Sequence, residues 1–482
     1  MRLFTDITNM NKLMNALDEN FHIFSLGKKL NIEVRPNVSN GAWLLFLLPS
    51  AIIISALKHY VVLTETYKSV VLFSIGIIFT NIFILRSLKK EKYVKVYQLW
   101  IFIPISALYV SLNKELLFGI YSGLFCTILY SRVYLMVVKM FPRSFTLGEA
   151  GITAQALMIL LYTTLPHFYY SIVDPITSTG GSSTVIIQME LFGIIILAGF
   201  LFYFNIEGVV VYFWTFLILL ATFLLPLHVF LQRSPILWVL NLLVEDLATI
   251  KMILYWVICV CIAALAVIRQ RNTGDKASSS QRKIFHILAV AVYIPGLMYE
   301  CNLLYLGSGM LLGIFFILEI LRNLKVPPLG TLLQESFMSL SDEKDAGIIA
   351  VTPIYLLTGF TTPIWLHPAP CDITDSAYFN FLPLLSGILS VGIGDTVASV
   401  FGSKYGKHFY HESKKTIEGT LASIVSQLLA VFVLYQIGFI VNMDMFNIIR
   451  ISLAITVTSF VEAKTDQIDN AILPLIMYIM LI

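Results

Sequence analysis

Residues 391–420 have the sequence VGIGDTVASVFGSKYGKHFYHESKKTIEGT, an apolar segment that ends in a basic loop. Asp395 lies inside the apolar part among glycines, and Lys414 and Lys415 close the loop just before Thr416. The hydrocarbon interior of a membrane disfavours ionisable side chains, so one that is retained there is a candidate functional residue. The stretch therefore predicts two membrane-spanning helices that meet at a polyanion site at the edge of a bilayer.

The composition of the whole chain indicates the class of protein. Of its 482 residues, 58% are hydrophobic and 13% are charged, and the mean hydropathy is +0.83. Soluble domains are about half apolar and about a quarter charged. The chain is therefore predicted to be an all-α, polytopic membrane protein surrounded by lipid. The net charge of +3 says little in itself, and we expect no nucleic-acid partner.

Cysteine spacing and the N-terminal sequence bear on processing and redox chemistry. A cleavable signal peptide has a short basic start followed by an apolar segment, and the N-terminal sequence does not show this pattern. We therefore expect the first hydrophobic helix to act as the insertion signal. The cysteines lack CxxC spacing, and we expect neither a zinc site nor a disulfide framework. These cysteines are Cys126, Cys259, Cys261, Cys301 and Cys371.

Apolar runs long enough to cross a bilayer, about 20 residues each, number about 15. The run 235–249 contains Glu245 and Asp246, and we interpret it as a re-entrant or lumen-side piece. The run 250–268 is then the eighth span. The other predicted spans lie near 42–57, 69–87, 96–112, 116–138, 151–165, 184–204, 208–230, 284–300, 303–321, 347–365, 378–400, 418–441, 446–461 and 468–482.

Lysine and arginine residues collect in alternate loops, as expected if those loops face the cytoplasm. By contrast, the loops 166–183 and 366–377 contain neither residue type. This alternation predicts a cytoplasmic N-terminus and a lumenal C-terminus. The predicted regions are a cytoplasmic N-terminal segment (1–41), an N-terminal transmembrane region (42–268), a flexible cytoplasmic linker rich in Gly, Ser and Lys (269–283), and a C-terminal transmembrane catalytic region (284–482) that contains the loop 401–419.

Asp395 and its neighbours allow two interpretations. Small residues at four-residue spacing, such as Gly394, Ala398 and Gly402, allow close helix packing. Packing explains the glycines but leaves Asp395 unexplained. A carboxylate at this position could hold Mg²⁺, which favours carboxylate and phosphate oxygens, or accept a proton from an alcohol. We therefore expect Asp395 to be functional.

Three further patches lie on the same predicted face. The loop 401–417 combines lysines with glycines that let backbone N–H groups approach phosphate oxygens, although an ordinary cytoplasmic loop is also basic. It has no GxxxxGK[ST] motif and is not a P-loop. Residues 282–286 form either a basic anchor or part of the site, and residues 462–470 either a polar turn or a metal- or base-recognition element. Glu319 and Arg322 are expected to form a structural ion pair.

Four segments resemble a known family: RKIFH at 282–286, GDTVASVFGSKYGK at 394–407, SKKTIEGT at 413–420 and SFVEAKTDQIDNAILPL at 459–475. In order and spacing they resemble the dolichol kinases, a family of CTP-dependent lipid kinases. The resemblance covers roughly residues 282–474. The sequence KHFYHE at 407–412 departs from the family by its bulk and its histidines. The chain lacks the longer acidic signature of phosphatidate cytidylyltransferases, which argues against nucleotidyl transfer.

The resemblance implies a multi-pass enzyme of the endoplasmic reticulum membrane that uses CTP and Mg²⁺ to phosphorylate dolichol. The product, dolichyl phosphate, is the lipid carrier for protein N-glycosylation and mannosylation. The residues expected to carry the site are, for catalysis, Asp395, Lys415 and His286; for nucleotide binding, Gly394, Gly402, Lys404, Gly406, Lys407, Lys414, Lys415, Thr416, Glu418, Gly419, Arg282, Lys283 and Asn470; and for the metal, Asp395 and Asp469.

Other functions remain open at the level of sequence. The phosphate site would serve equally for another lipid alcohol, such as diacylglycerol, phytol or farnesol. A transporter or scaffold could use a basic loop to bind anionic headgroups, but a transporter would place charges near the bilayer midplane in broken helices. The sequence shows no such pattern. A homo-oligomer is an open alternative.

Overall fold

The computed structural model describes residues 33–36, 38–61, 63–89, 102–107, 116–173, 182–203, 208–231, 234–244, 246–341, 343–345, 347–368, 371, 381–410, 415–440 and 443–482. Every regular element in these ranges is helical, apart from an isolated bridge between Phe409 and Thr416. The predicted all-α class is confirmed. Lys414, nearly all of the predicted segment 1–41 and most of the predicted span 96–112 lie outside the described residues.

Sixteen helices define the fold within these ranges. They are α1 (Leu47–Lys58), α2 (Glu65–Lys89), α3 (Leu116–Met140), α4 (Leu147–Val173), α5 (Ser182–Tyr203), α6 (Val209–Leu231), α7 (Pro235–Leu243), α8 (Leu247–Thr273), α9 (Ser279–Tyr299), α10 (Cys301–Asn323), α11 (Leu329–Leu340), α12 (Val351–Leu366), α13 (Leu382–Tyr405), α14 (Ile417–Gln436), α15 (Met445–Lys464) and α16 (Asp469–Leu481).

Within the described part of the chain, nine helices are long and apolar enough to cross a membrane. These are α2, α3, α5, α8, α9, α10, α13, α14 and α15. Shorter apolar helices occupy Ala42–Lys58, Val210–Leu225 and Asp469–Leu481. The chain is thus a multi-pass membrane protein, whereas the total of about 15 spans and the orientation of the termini stay predictions.

The boundaries of the helices α8 and α9 differ from the prediction. The helix α8 continues to Thr273 and ends where Gly274 adopts a left-handed φ of 74°. The helix α9 begins early because Ser278 and Gln281 form a capping box. The predicted flexible linker is therefore confined to 274–278. Asp246 caps α8 by accepting the N–H of Thr249 at 2.7 Å, so α8 begins inside the run that was interpreted as re-entrant.

The expectation of no disulfide was wrong. Cys301, at the start of α10, is bonded to Cys371, which follows α12, with an S–S distance of 2.18 Å. The two residues are separated by 70 positions in sequence. Motif spacing detects only local cysteine pairs, whereas this bond depends on how α10 and α12 pack together.

The helix α13 changes its winding along its length. It begins with a 3₁₀ turn at Leu382–Leu385, is π-helical over Ile388–Asp395 and is α-helical over Thr396–Tyr405. A π-helix usually occurs as a single turn within an α-helix, and such turns are frequent at functional sites. Asp395 therefore lies at the junction of two windings, and its side chain is directed into the bundle.

The N-terminal and C-terminal regions share a hydrophobic core. One cluster joins Leu45, Phe73 and Tyr130 to Leu475 and Tyr478, all of them buried. The helices α1 and α4 thus belong to the same packed unit as α16. These regions are predicted as separate parts of the chain, but the structure packs them directly together.

A buried polar network stabilises the N-terminal part of this core. Pro49 has no N–H group, so the carbonyl oxygen of Leu45 lacks its usual helical donor. Asn81 and Gln155 donate to that oxygen at 2.7 and 2.8 Å. Tyr130 donates its hydroxyl to Asn81 at 2.6 Å.

The helices α13 and α14 pack closely through small residues. A Cβ atom on Gly394 would lie 2.5 Å from Nε2 of Gln427, and one on Gly419 would lie 2.8 Å from the carbonyl oxygen of Ala398. A Cβ on Gly402 would meet the Thr416 hydroxyl at 2.8 Å. The close-packing interpretation therefore accounts for these glycines.

We expect Gly419→Ala to destabilise the protein by about 1–3 kcal/mol, because the new methyl group must displace backbone atoms of α13. Gly199 in α5 is the matched control, since a Cβ there meets nothing within 4 Å. Gly199→Ala is expected to leave stability unchanged or to raise it by up to about 1 kcal/mol. Thermal unfolding in detergent measures both; equal stability of the two variants would contradict this packing.

Candidate active site

Asp395 is buried against two cationic or polar side chains of α9. Its Oδ2 atom pairs with Nζ of Lys283 and lies 3.5 Å from Nε2 of His286. Lys283 and His286 are three residues apart and therefore lie on one face of the helix. The structure thus brings together two predicted patches, the segment 282–286 and the GDT sequence.

Lys415 lies in the loop before α14 and reaches the end of α15. Its Nζ atom donates to the Glu462 carboxylate at 3.1 Å and to the carbonyl oxygen of the same residue. Burial disfavours the charged amine, but three nearby carboxylates outweigh that effect and raise the pKa of Lys415. They belong to Glu462, Asp469 and Asp395. Lys415 is therefore a fixed positive charge at neutral pH.

A third pair completes the cluster. Nζ of Lys344 lies 2.9 Å from Oδ2 of Asp469, the first residue of α16. Asp469 also interacts electrostatically with Asp395, Lys415 and Lys283. Three lysines and three carboxylates thus form one network, which we name the charge cluster: Lys283–Asp395, Lys415–Glu462 and Lys344–Asp469.

Lys344 and Glu462 were not among the predicted site residues. Lys344 follows α11, in a loop that the alternation of basic residues predicts to be cytoplasmic. Glu462 belongs to the segment 462–470, interpreted either as a polar turn or as a recognition element, and it lies in the last turn of a membrane-spanning helix. The signal that could have identified Glu462 is that an acid in the last turn of a span needs a cation, because buried carboxylates are rarely unpaired.

The predicted nucleotide loop is a short hairpin where the structure describes it. The Tyr410 N–H donates to the carbonyl oxygen of Lys415 at 3.0 Å, and the Ile417 N–H donates to the carbonyl oxygen of His408 at 2.9 Å. Thr416 caps α14 by accepting the N–H of Gly419 at 3.2 Å. Glu418, which is predicted to contact the nucleotide, bonds to Nδ1 of His408 at 2.6 Å. This contact ties the hairpin to the first turn of α14.

Other predicted nucleotide-binding residues differ in exposure and in their contacts. Lys404 and Lys407 are exposed, and Arg282 donates to Ser279 at 3.3 Å. A Cβ on Gly406 would meet backbone and Thr416 atoms within 3 Å, so this glycine lets the loop turn back against α14. Asn470 is buried beside Asp469.

Several buried polar atoms near the charge cluster have no hydrogen-bond partner among the described residues. They are Nδ1 of His286, Oγ1 of Thr396 and Oδ1 of Asn470. Buried polar groups are usually satisfied by protein, water or ligand. These atoms are therefore candidates to bond a substrate or water.

The oxygen donors fit a Mg²⁺ ion that shares its coordination with a substrate. The described residues contain no group of three or more His, Cys, Asp or Glu side chains placed to hold a metal. Mg²⁺ is usually bound by only one or two carboxylates together with phosphate oxygens and water. Asp395, Asp469 and the unpartnered amide oxygen of Asn470 supply such a set.

Comparison with known proteins agrees with the resemblance in sequence. A protein-family model described as dolichol kinase matches residues 123–440. The chain is 34% identical to dolichol kinase of Homo sapiens over 368 residues and 33% identical to that of Mus musculus over 365 residues. Each match covers 72% of this chain and 67% of the relative.

A plant relative matches a smaller part of the chain. Dolichol kinase EVAN of Arabidopsis thaliana is 33% identical over 256 residues, which cover 52% of this chain and 43% of that protein. No solved structure matches the chain at a significant level. The family match covers most of the chain, including α13 and α14, which carry Asp395 and border Lys415. On these grounds the chain belongs to the dolichol kinase family.

Proposed function

We propose that this protein transfers the γ-phosphate of CTP to the terminal hydroxyl of dolichol at the cytoplasmic face of the endoplasmic reticulum membrane. The product, dolichyl phosphate, would supply protein N-glycosylation and mannosylation. The observation that carries the proposal is the charge cluster, in which Asp395 pairs with Lys283 and interacts electrostatically with Lys415 and Asp469. Family membership supports dolichol as the acceptor.

The lysines act on the phosphates. Phosphoryl transfer depends mainly on positioning and on offsetting negative charge as the β–γ phosphoanhydride bond breaks. Lys415 stays protonated and is exposed enough to meet a polyanion, with 32% of its side chain accessible. Arriving phosphates compete with Glu462 for this amine. Lys283 holds the Asp395 carboxylate in place.

Asp395 acts on the acceptor. Its carboxylate accepts a hydrogen bond from the lipid hydroxyl and orients that oxygen toward the γ-phosphorus. The oxygen–phosphorus bond forms, the bond to the β–γ bridging oxygen breaks, and CDP leaves. The hydroxyl proton passes to Asp395. His286 is the second candidate for this role, because its Nε2 atom faces the same carboxylate.

Asp395, Asp469 and Asn470 would hold Mg²⁺ together with the nucleotide phosphates. When bound, the ion would supply positive charge that offsets the charge of the phosphates. Glu462 lies in the last turn of α15, and Asp469 begins α16. The connection between these two helix ends therefore positions the donors.

The distribution of cysteines supports the proposed orientation. The disulfide between Cys301 and Cys371 lies in the two loops that the charge pattern assigns to the lumen. Disulfides persist in oxidising compartments such as the endoplasmic reticulum lumen. The charge cluster lies in segments that the same pattern assigns to the cytoplasm, where CTP is available.

Purified protein tests the proposal with CTP or ATP labelled in the γ-phosphate and a panel of lipid alcohols. We expect label in dolichol, from CTP in preference to ATP. Label in diacylglycerol, phytol or farnesol but not in dolichol would replace the acceptor. A folded protein that transfers label to no alcohol would overturn the enzymatic function and favour the transporter or scaffold.

A further inference from the structure

The connection between α15 and α16 joins two parts of the charge cluster. Glu462 lies in the last turn of α15 and Asp469 in the first turn of α16, so the segment 465–468 sets their relative position. We name this segment the hinge loop. Asn470, with its unpartnered amide oxygen, follows directly.

Residues from the N-terminal region hold the hinge loop. The Asp466 carboxylate accepts the Ser39 N–H at 2.6 Å and its hydroxyl at 2.7 Å. Thr146 donates its hydroxyl to Gln467 at 2.6 Å. The side-chain amide of Gln467 in turn donates to the Ser39 carbonyl oxygen at 2.9 Å. The hinge loop is thus fixed by residues more than 300 positions away in sequence.

Glu149 caps two helices at once. Its Oε2 atom accepts the Thr146 N–H at 3.0 Å, and its own N–H donates to the Thr146 hydroxyl at 3.2 Å, which is the capping box of α4. Its Oε1 atom accepts the N–H of Ile468 at 2.8 Å. Ile468 is the N-cap residue of α16 and has no side-chain oxygen to cap that helix. Glu149 therefore holds the N-cap residue of α16 from α4.

Arg35 fixes the Glu149 carboxylate. Its Nη2 atom lies 2.8 Å from Oε1 of Glu149 and 3.4 Å from the carbonyl oxygen of Asp466. Both side chains are almost fully buried, at 2% and 1% exposure. A buried ion pair is often no more stabilising than apolar residues of similar size, so its presence is better explained by orientation than by stability.

From this geometry we infer that Glu149, held by Arg35, is a positioning residue for phosphoryl transfer. It fixes the start of α16, and thereby Asp469 and Asn470, relative to Lys415 and Asp395. The N-terminal region is then part of the catalytic unit and not merely a membrane anchor. The inference rests on the function proposed above, because Asp469 and Asn470 are placed at the metal and phosphates there.

The decisive variant replaces both members of the pair, Arg35→Met with Glu149→Leu. This change removes the cap on Ile468 without leaving a buried charge, so the fold is expected to be retained. Partners that orient metal ligands typically contribute about 10- to 100-fold to metal affinity or activity. We expect the half-saturating Mg²⁺ concentration to rise about tenfold, while the KM for dolichol stays unchanged.

A second readout needs no catalysis. Hydrogen exchange of the full-length protein without substrates is expected to show faster exchange in the peptide that contains 465–470. Ser39→Ala, at a half-buried position, is expected to raise the same exchange more weakly. Asn81→Leu is the matched control, because it breaks a buried network of the N-terminal region that does not contact the hinge loop.

The outcomes separate this inference from the proposed function. Faster exchange at 465–470 together with a raised Mg²⁺ requirement in the double variant, but not in Asn81→Leu, supports the inference. Unchanged exchange, or faster exchange with unchanged Mg²⁺ dependence in an active protein, overturns it. If the wild-type protein phosphorylates no alcohol, the proposed function fails, and the positioning role fails with it even where the exchange result holds.

Discussion

Asp395→Asn is expected to lower dolichol phosphorylation by about 1000-fold, the middle of the range for loss of a group that accepts a proton. The substitution keeps the size of the side chain and leaves Lys283 an oxygen to bond. It removes the negative charge that would bind Mg²⁺ and accept the hydroxyl proton. Initial rates with labelled CTP, measured on equal amounts of folded protein, give the effect.

Asp444→Asn is the matched control for this variant. Asp444 caps α15 at the end opposite Glu462, accepting the N–H of Asn447 at 3.0 Å. Asparagine caps helices about as well as aspartate, so we expect no change in activity. Activity within about threefold of wild type for Asp395→Asn would show that another group orients the hydroxyl.

Lys415→Ala is expected to lower the rate by about 100- to 1000-fold, as for removal of one donor that stabilises charge in the transition state. It also leaves the buried Glu462 carboxylate without its lysine, which destabilises the fold. The double variant Lys415→Ala with Glu462→Gln removes that unpaired charge. We expect it to recover thermal stability without recovering activity.

Lys276→Ala controls for the loss of one positive charge on the same predicted face. Lys276 is exposed in the short connection between α8 and α9. Its removal is expected to change neither rate nor stability. Recovery of activity in the Lys415/Glu462 double variant would mean that Lys415 contributes structure and not catalysis.

Much of the fold follows from local sequence because each span is a continuous apolar run. The segments around 282–286, 394–407 and 462–470 were expected on one face, and the structure brings Lys283, Asp395 and Asp469 into one charge cluster there. Local reasoning worked because these residues end or interrupt apolar helices. A charged residue at such a position is easily recognised because the surrounding sequence is apolar.

Other features depend on contacts between distant parts of the chain. The sequence gives no local sign that Lys344 pairs with Asp469 or that Cys301 bonds to Cys371. The helix α4 was predicted as a short span near 151–165, whereas it starts at Leu147 and continues past Pro166. The additional first turn of α4 contains Glu149. The double capping role of this residue is visible only once α4 and α16 are packed together.

The structure of the full chain with a non-hydrolysable CTP analogue and Mg²⁺, determined by electron cryomicroscopy in lipid, tests the central claim most directly. The account predicts the triphosphate between Lys415 and the carboxylates of Asp395 and Asp469, with the Lys415–Glu462 contact lengthened. A triphosphate bound elsewhere on the protein, with the charge cluster unchanged from the nucleotide-free state, would contradict it.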